Sequence, residues 1–315
     1  MEFLYFLESI RNSFLDVFFS TITYIGDEIF ALALICIIFW CLNKNYGYKL
    51  GFSFFASGMI IQALKVTFRI PRPWQIDENF TTVGNSQKAA TGYSFPSGHT
   101  QCSTTVFSSF AIEAKKMWLK LVCVAIFLLV GLSRMYLGVH TPKDVIVAMV
   151  VTLLCVLIFN NLFDKIEDNQ KYDGIIAVVL AVISVAVTLY AVILKMQDII
   201  PDTKEYAKNA LDCCKTGGAG FGFAIGWYIE RRWVKFDVKT EKVWQQIVKL
   251  IFGICVALLL KELPKIIFAD LIEGSMKIQA IIDTARYVLV TFWVVAGFPA
   301  IVMNYKKRRA IKKSN

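Results

Sequence analysis

The sequence has little charge for its length. Only 18% of its 315 residues are charged, whereas soluble domains carry about 25%, and 57% are hydrophobic. Apolar runs of about 20 residues, long enough to cross a bilayer, recur along the chain. These features exclude an ordinary soluble enzyme. They predict an all-α, polytopic integral membrane helical bundle, because lipid forces the backbone groups of each segment to pair within it.

Histidine is also scarce, and cysteine shows no metal-ligand spacing. With only two histidines, His99 and His140, none remains to complete a metal set, so we expect no metal and no cofactor. Cys213 and Cys214 form the one cysteine pair that we expect to be exposed, and neighbouring cysteines rarely bond each other. No basic segment followed by a small-residue cleavage site opens the chain, so no removable signal peptide is expected.

The apolar runs predict nine membrane-spanning helices. We place these helices at residues 23–42, 48–68, 99–114, 118–137, 143–162, 174–195, 217–233, 244–262 and 284–304. Residues 1–22 are predicted to form an amphipathic helix at the membrane interface, although a buried helix explains their Phe and Leu pattern equally well. We assign residues 23–198 to a catalytic transmembrane core. Residues 199–315 are assigned to additional helices and a basic tail.

The net charge of +10 follows membrane topology and does not indicate nucleic acid. Alternate loops and the C-terminal tail carry most of the basic residues, and the more basic side of a membrane protein usually faces the cytoplasm. We therefore expect a cytoplasmic C-terminus and place the other loops on the extracytoplasmic side. A bacterial plasma membrane fits this pattern, and a lumenal site in the endoplasmic reticulum would give the same pattern.

Two features of the last spans are interpreted as structural. Gly218, Gly222 and Gly226 recur every four residues, a spacing that lets helix backbones approach closely. Glu262 and Arg286 lie near span ends and are expected to pair with each other, because charges within a membrane need partners.

Three polar islands interrupt the apolar sequence, each at a span boundary. In the first, Lys65 lies near the end of the second span and Arg72 follows it, between Pro71 and Pro73, which stop the helix. Both cations can enter one pocket and neutralise phosphate oxygens. Snorkelling to the interface would explain Lys65 better if it stood alone.

The second island is Pro96-Ser97-Gly98-His99, at the start of the third predicted span. Serine is a good helix N-cap, and the free N–H groups at a helix start attract anions. Gly98 lets the backbone approach a phosphate closely, and His99 is placed to act as general acid on the leaving oxygen. A plain N-cap with an incidental histidine would explain this tetrad by itself.

The third island contains Arg134, His140 and Asp144. Arg134 ends the fourth span and is placed to hold the oxygens of a transferring phosphoryl group. Asp144 lies three residues after Thr141, in the capping-box position of a helix that begins at Pro142. It also lies one turn past His140, where it can accept the Nδ1–H and leave Nε2 free to attack phosphorus. Both roles can hold together.

The three islands together resemble the type-2 phosphatidic acid phosphatase superfamily, which shares its site with vanadium haloperoxidases. The pattern Lys-x6-Arg-Pro, Pro-Ser-Gly-His and Ser-Arg-x5-His-x3-Asp is present in full, within roughly residues 50–160. The resemblance implies a phosphatase-type helical core that binds phosphate without metal, with His140 as nucleophile, Asp144 as its orienting partner and His99 as general acid. It also implies that the phosphoryl oxygens are held by Lys65, Arg72, Ser97, Gly98 and Arg134.

The resemblance implies hydrolysis of a lipid phosphate or polyprenyl pyrophosphate by an integral membrane enzyme through a phosphohistidine. The partners expected are therefore a phosphorylated lipid and the membrane lipids. Phosphoryl transfer to a second lipid or sugar, and hydrolysis of a soluble phosphate as in glucose-6-phosphatase, remain open. A non-catalytic lipid-binding or transport protein on the same scaffold is the alternative from another class. The sequence leaves the headgroup, the oligomeric state and the role of the C-terminal helices open.

Overall fold

The all-α class is confirmed by the computed structural model, which describes residues 1–166, 169–196, 204–239 and 242–314. Within those ranges the α-helices, numbered in chain order, are α1 (Glu2–Ser9), α2 (Ser13–Ile22), α3 (Glu28–Ile37), α4 (Lys44–Phe68), α5 (Pro73–Ile76), α6 (Ser86–Ala89), α7 (Gly98–Glu113), α8 (Met117–Tyr136), α9 (Pro142–Ile166), α10 (Asp173–Met196), α11 (Lys204–Ile229), α12 (Val243–Ile267), α13 (Ala269–Gly274), α14 (Met276–Phe292) and α15 (Phe298–Ser314).

The chain is an integral membrane protein. Six segments in the described residues are long and apolar enough to cross a bilayer: Lys44–Ile76, Met117–Tyr136, Pro142–Ile166, Gln170–Leu194, Val243–Ile267 and Met276–Arg309. The number becomes seven when Ser13–Gly26 and Glu28–Leu42, which meet at 49°, are counted as one broken span.

The predicted count of nine spans is not confirmed. Two predicted spans, 99–114 and 217–233, are not among the candidates. The first corresponds to α7, which has 16 residues and a run of serine and threonine. The second lies mostly in α11, where glycines and charged side chains lower the mean hydropathy. A span must be long as well as apolar, and these two helices each miss one condition.

The chain folds into two compact units. The first comprises Met1–Ala33, Phe52–Leu162 and Leu194–Ala210, and the second comprises Leu34–Gly51, Phe163–Ile193 and Leu211–Asn315. All the residues of the three polar islands lie in the first unit. The boundary predicted between residues 198 and 199 lies outside the described residues.

In the first unit the N-terminal segment forms two helices where the sequence predicted one. The first ends at Ser9, and Asn12 caps the second, its Oδ1 accepting from the backbone N–H of Leu15 at 3.0 Å. Leu4 is buried, whereas Phe14 is 76% exposed. Placement of this segment at the membrane interface stays a prediction.

In the second unit the glycines of α11 face the backbone of α14. A Cβ at Gly218 or Gly222 would collide with the main chain at Thr284 or Val288. The predicted packing role of this glycine repeat is therefore confirmed.

Cys213 and Cys214, one turn earlier on α11, are both buried cysteines in the thiol form. The prediction that this pair is exposed was wrong. The sequence around it is polar, but the close approach of α14 to the following turns of α11 encloses this part of the helix.

The charged residues of α12 and α14 pair differently from the prediction. Arg286 lies 2.9 Å from Asp283, three residues earlier on α14, and Glu262 lies 3.3 Å from Lys261. Asp283 lies one helical turn before Arg286, so the helix itself positions this partner, whereas Lys261 is the immediate sequence neighbour of Glu262.

Candidate active site

The first island sits where α4 ends. Arg69 adopts a left-handed backbone conformation (φ 51°) directly after the last helical residue and turns the chain toward Arg72. Lys65, in the last turn of α4, is 6% exposed, and its ammonium donates to the carbonyl of Tyr93 at 2.9 Å. The helix end therefore brings Lys65 to the segment that precedes the second island.

Arg72 fixes two loops to each other. Its guanidinium donates to the carbonyl oxygens of Thr91 and Gly92 at 2.9 and 3.0 Å, and to that of Val139 at 3.0 Å. The same Nη1 lies 3.0 Å from Nε2 of His140. The first island and the third, which are about 70 residues apart in the chain, therefore meet at one side chain.

The second island begins α7 as predicted. Ser97 is the N-cap, its hydroxyl accepting from the N–H and hydroxyl of Thr100, and its own N–H donates to the carbonyl of Asp144 at 3.1 Å. A Cβ added at Gly98 would meet no atom within 4 Å, so the helix start opens onto free space. Free N–H groups facing such a space suit an anion.

Arg134, in the last turn of α8, is buried and only partly satisfied. One of its terminal nitrogens donates to the hydroxyl of Thr23 at 2.8 Å. Its Nε has no hydrogen-bond partner in the described part of the chain. Buried guanidinium N–H groups are costly when unsatisfied, so this one has room for an acceptor that comes from outside the chain.

The third island depends on a tight turn between α8 and α9. Gly138 has φ 78°, a conformation that costs glycine little, and a Cβ there would press on the carbonyl of Thr81. The turn returns the chain so that the N–H groups of Val139 and His140 both reach the carbonyl of Arg134. His140 is thereby held beside the arginine that precedes the turn.

Asp144 serves both the helix and the histidine. Its Oδ2 accepts from the N–H of Thr141 at 2.7 Å, as a capping residue does, and lies 3.5 Å from Nδ1 of His140. The predicted helix start at Pro142 is confirmed.

The tautomer of His140 follows from its two contacts. Arginine can only donate, so the approach of Arg72 to Nε2 requires a lone pair there. The proton is then on Nδ1, facing Asp144.

Ser94 is a site residue that the sequence reasoning missed. Its hydroxyl is fully buried and donates to Oδ2 of Asp144 at 2.5 Å, and it lies 3.4 Å from Nδ1 of His140. The available signal was a polar residue between two aromatic ones, three positions before Ser97. Its partner lies 50 residues further along the chain, which local sequence does not reveal.

The site makes both imidazoles poor bases. Neither histidine lies within a candidate span. Burial, and then the charges of Arg72, Arg134 and Lys65, hold the pKa of His140 well below its ordinary value. Burial and the same three cations, with Arg134 foremost, also lower the pKa of His99. The residues of all three islands therefore act on one another electrostatically, and His140 is neutral near pH 7.

The comparison with family models agrees with these motifs. Residues 46–168 match the PAP2 superfamily, and residues 214–310 match the PAP2 superfamily phosphatase, transmembrane extension. The first match contains all three islands, and the two together cover more than half of the chain. The chain belongs to the PAP2 superfamily. The three islands gave no information on the C-terminal helices. These helices match a transmembrane extension that is described for phosphatases of this superfamily.

Curated relatives are similar over the same region. A probable sphingosine-1-phosphate phosphatase of Dictyostelium discoideum is 28% identical over 48% of this chain and 39% of its own length. The undecaprenyl-diphosphatase BcrC of Bacillus subtilis is 28% identical over 50% of this chain and 79% of its own length. The chain therefore matches well under half of the length of the first of these relatives.

One solved structure is also similar. The crystal structure of Aquifex aeolicus LpxE has a TM-score of 0.46 and 26% identity, over 51% of this chain and 93% of the other.

Proposed function

We propose that this PAP2 protein is a phosphatase that hydrolyses a lipid phosphate or polyprenyl diphosphate through a phosphohistidine. His140 is the nucleophile, Asp144 its orienting partner and His99 the general acid. Lys65, Arg72, Arg134 and the start of α7 at Ser97 and Gly98 hold the phosphoryl oxygens.

In the first step, Nε2 of His140 attacks phosphorus and the bond from phosphorus to the leaving oxygen breaks. The substrate oxygens replace Nε2 as acceptors for Arg72, and Nε of Arg134 gains the acceptor it lacks. The bound anion stabilises a protonated imidazole, so His99 takes up a proton on binding and gives it to the leaving oxygen. Asp144 stabilises the positive charge that develops on the His140 ring.

In the second step, water attacks the phosphorus of the phosphohistidine and gives a proton to His99, which is now neutral. The bond between phosphorus and Nε2 breaks, and inorganic phosphate leaves. His140 returns to its neutral form with the proton still on Nδ1.

One observation carries the proposal: Nη1 of Arg72 lies 3.0 Å from Nε2 of His140, and Asp144 lies 3.5 Å from Nδ1. These contacts assign the lone pair to Nε2 and the proton to Nδ1. A capping role for Asp144 needs no histidine, and a histidine that only packs needs no arginine 3.0 Å from Nε2. The arrangement instead leaves a nucleophilic nitrogen beside buried cations. Covalent catalysis on a phosphate needs this combination.

The substrate class is proposed from the relatives and from the membrane. Their names describe phosphatases of sphingosine 1-phosphate and of undecaprenyl diphosphate, both phosphorylated lipids. The islands lie at the ends of predicted spans, where a lipid headgroup would be found. We further propose that α7 and α11 also cross the bilayer, because only then do the basic loops alternate with the islands. That topology places the site on the extracytoplasmic side and the C-terminus in the cytoplasm.

The phosphohistidine can be trapped directly. Purified protein is mixed with lipid labelled on its terminal phosphate, quenched in alkali and analysed for label on the chain. We expect label that is stable to alkali, is released by acid and is absent from His140→Ala. His99→Ala should still accumulate label from a substrate with a good leaving group, because it lacks only the proton donor for the leaving oxygen.

Turnover without label on His140 would reject the covalent mechanism. Phosphate release with and without a lipid or sugar acceptor separates hydrolysis from transfer, and vanadate inhibition separates both from a non-catalytic scaffold. Absence of turnover on phosphatidic acid, phosphatidylglycerol phosphate, undecaprenyl diphosphate and glucose 6-phosphate would reject the phosphatase assignment.

A further inference from the structure

The second unit contains a basic cavity that the proposed reaction does not use. Its volume is about 250 Å³, and its lining consists of Lys44, Asn45, Tyr48, Gln170, Arg231 and Lys235. Three of these side chains are cations and none is an anion. The cavity lies where α4 begins, where α11 ends and beside the short turn at Gln170–Tyr172.

Tyr48 gives the cavity an unsatisfied donor. The residue is 1% exposed, and its hydroxyl has no hydrogen-bond partner within the described ranges. The ring is fixed between Phe39 and Trp227, whose centroids lie 5.5 and 6.2 Å away. Buried hydroxyls are normally bonded, so a tyrosine that lines a cavity in this state indicates an acceptor that enters the cavity.

Lys235 gives the cavity an available cation. Its backbone is left-handed, with φ 50° and ψ 53°, and is held there by a bond of 2.7 Å from its N–H to the carbonyl of Glu230. This conformation is uncommon for a residue other than glycine. The exposed ammonium forms no hydrogen bond or ion pair with any residue that the structure describes. The strained turn therefore presents a lysine at the cavity rim.

The other cations of the lining are already balanced. Lys44 lies 3.1 Å from the buried carboxylate of Glu230, and Nε of Arg231 lies 2.9 Å from Asp173. An entering anion therefore meets two cations whose own partners are in place, together with the ammonium of Lys235. The carboxylates do not line the cavity.

The surroundings of the cavity favour a lipid headgroup as the source of the anion. Trp233 and Trp244, near the ends of α11 and α12, are 67% and 56% exposed. Exposed tryptophan is typical of the membrane–water interface, and basic pockets at helix ends bind anionic lipid headgroups.

We propose that this cavity binds the phosphate group of an anionic phospholipid, with Lys235 as ion pair and the Tyr48 hydroxyl as hydrogen-bond donor. This site is separate from the catalytic one and does not depend on the proposed reaction.

Binding is measured on the full chain in detergent, by native mass spectrometry and by thermal unfolding. The ligands are phosphatidylglycerol, phosphatidylcholine and inorganic phosphate. The active site is intact in every variant, so its contribution is common to all. We expect wild type to prefer phosphatidylglycerol to phosphatidylcholine, and Lys235→Gln to weaken that binding roughly fivefold.

Tyr48→Phe should weaken phosphatidylglycerol binding about threefold to tenfold while leaving the unfolding temperature without lipid unchanged or higher. Lys239→Gln removes an exposed positive charge that does not line the cavity and is the matched control, with no change expected. Lys235→Arg should retain binding, which shows that charge and not folding is measured.

Three results would overturn the proposal. These are equal retention of the two lipids together with no effect of phosphate, equal weakening by Lys239→Gln and Lys235→Gln, and no effect of Tyr48→Phe on binding. Stabilisation by inorganic phosphate that depends on Lys235 and Tyr48, without a lipid preference, would support the phosphate site and assign its source to the free ion.

Discussion

The two compact units differ in the groups that contact their buried arginine side chains. In the second unit Arg286 lies 2.9 Å from the carboxylate of Asp283. In the first unit Arg72 and Arg134 are equally buried, yet they donate to carbonyl and hydroxyl groups. Neither forms an ion pair within 4.0 Å in the part of the chain that the structure describes.

We interpret the ion-paired arginine of the second unit as a structural charge, and the two arginines of the first unit as charges that an anionic ligand would neutralise. A buried cation without a counter-charge is costly, and a carboxylate nearby is the ordinary remedy. Among the described residues of its site, the first unit has one carboxylate, which faces His140. An anionic substrate would supply the missing negative charge.

The largest effect is expected when that single carboxylate is neutralised. Asp144→Asn keeps the shape of the side chain but removes the charge that holds the proton on Nδ1 and stabilises the charged ring. We expect kcat to fall about 10³- to 10⁴-fold, as in triads where the corresponding Asp becomes Asn. Steady-state phosphate release checks this. A fall below tenfold would leave Asp144 as a helix cap alone.

Arginine substitutions in the two units should separate the two kinds of charge. Arg134→Ala removes a group that we propose stabilises the transition state, so kcat/KM should fall about 10²- to 10³-fold with little loss of stability. Arg286→Ala leaves the buried Asp283 carboxylate with Lys215, 4.0 Å away, and should lower the unfolding free energy by up to about 3–5 kcal/mol. The folded fraction of Arg286→Ala should keep its kcat/KM. Unfolding curves and kinetics on both variants test the comparison, and identical behaviour would remove it.

Ser94→Ala tests whether the missed serine positions the catalytic pair. Loss of its hydrogen bond to Asp144 should lower kcat by about tenfold, through the orientation of His140, and should leave KM nearly unchanged. Ser94→Thr, which keeps the hydroxyl, should recover part of the activity. A change in KM alone would place Ser94 in contact with substrate instead.

The smallest effect concerns pH. The depressed pKa of His140 keeps the imidazole unprotonated at pH values where a free histidine is charged. The pH profile of kcat/KM reports ionisations of the free enzyme. After correction for ionisation of the substrate, the midpoint of its acidic limb should therefore lie below about pH 6.5. Stability should decline over the same range, because the unfolded chain binds a proton at His140 before the folded chain does. A limb above pH 7 would contradict the described environment of His140.

Much of the site could be predicted because helix ends leave clear signals. Proline marked the end of α4, serine and glycine marked the start of α7, and Thr141-Pro142 marked the start of α9. Each signal is local, and together they place the polar islands where helices end. Ser94 escaped because its role depends on Asp144, a partner that only the folded chain brings close.

The misses in the fold share one cause: the composition of a short stretch of sequence was treated as sufficient to predict a span or an exposed position. Helix α7 has only 16 residues, and its buried face is rich in serine and threonine. Cys213 and Cys214 are buried because a neighbouring helix packs closely against α11. The polar residues next to them in the sequence give no indication of this packing. Burial by tertiary packing is not encoded in a single window of sequence.

The double duty of Asp144 has a consequence for changes in chain length. Because the same oxygen caps α9 and faces His140, the first turn of the helix sets the distance between the two proposed catalytic partners. One residue inserted between Thr141 and Asp144 would rotate the carboxylate by about 100° around the helix axis, although the rest of α9 could form as before. The three residues between His140 and Asp144 thus fix the distance between the two side chains. Insertions or deletions there should leave the protein able to fold but should abolish its activity.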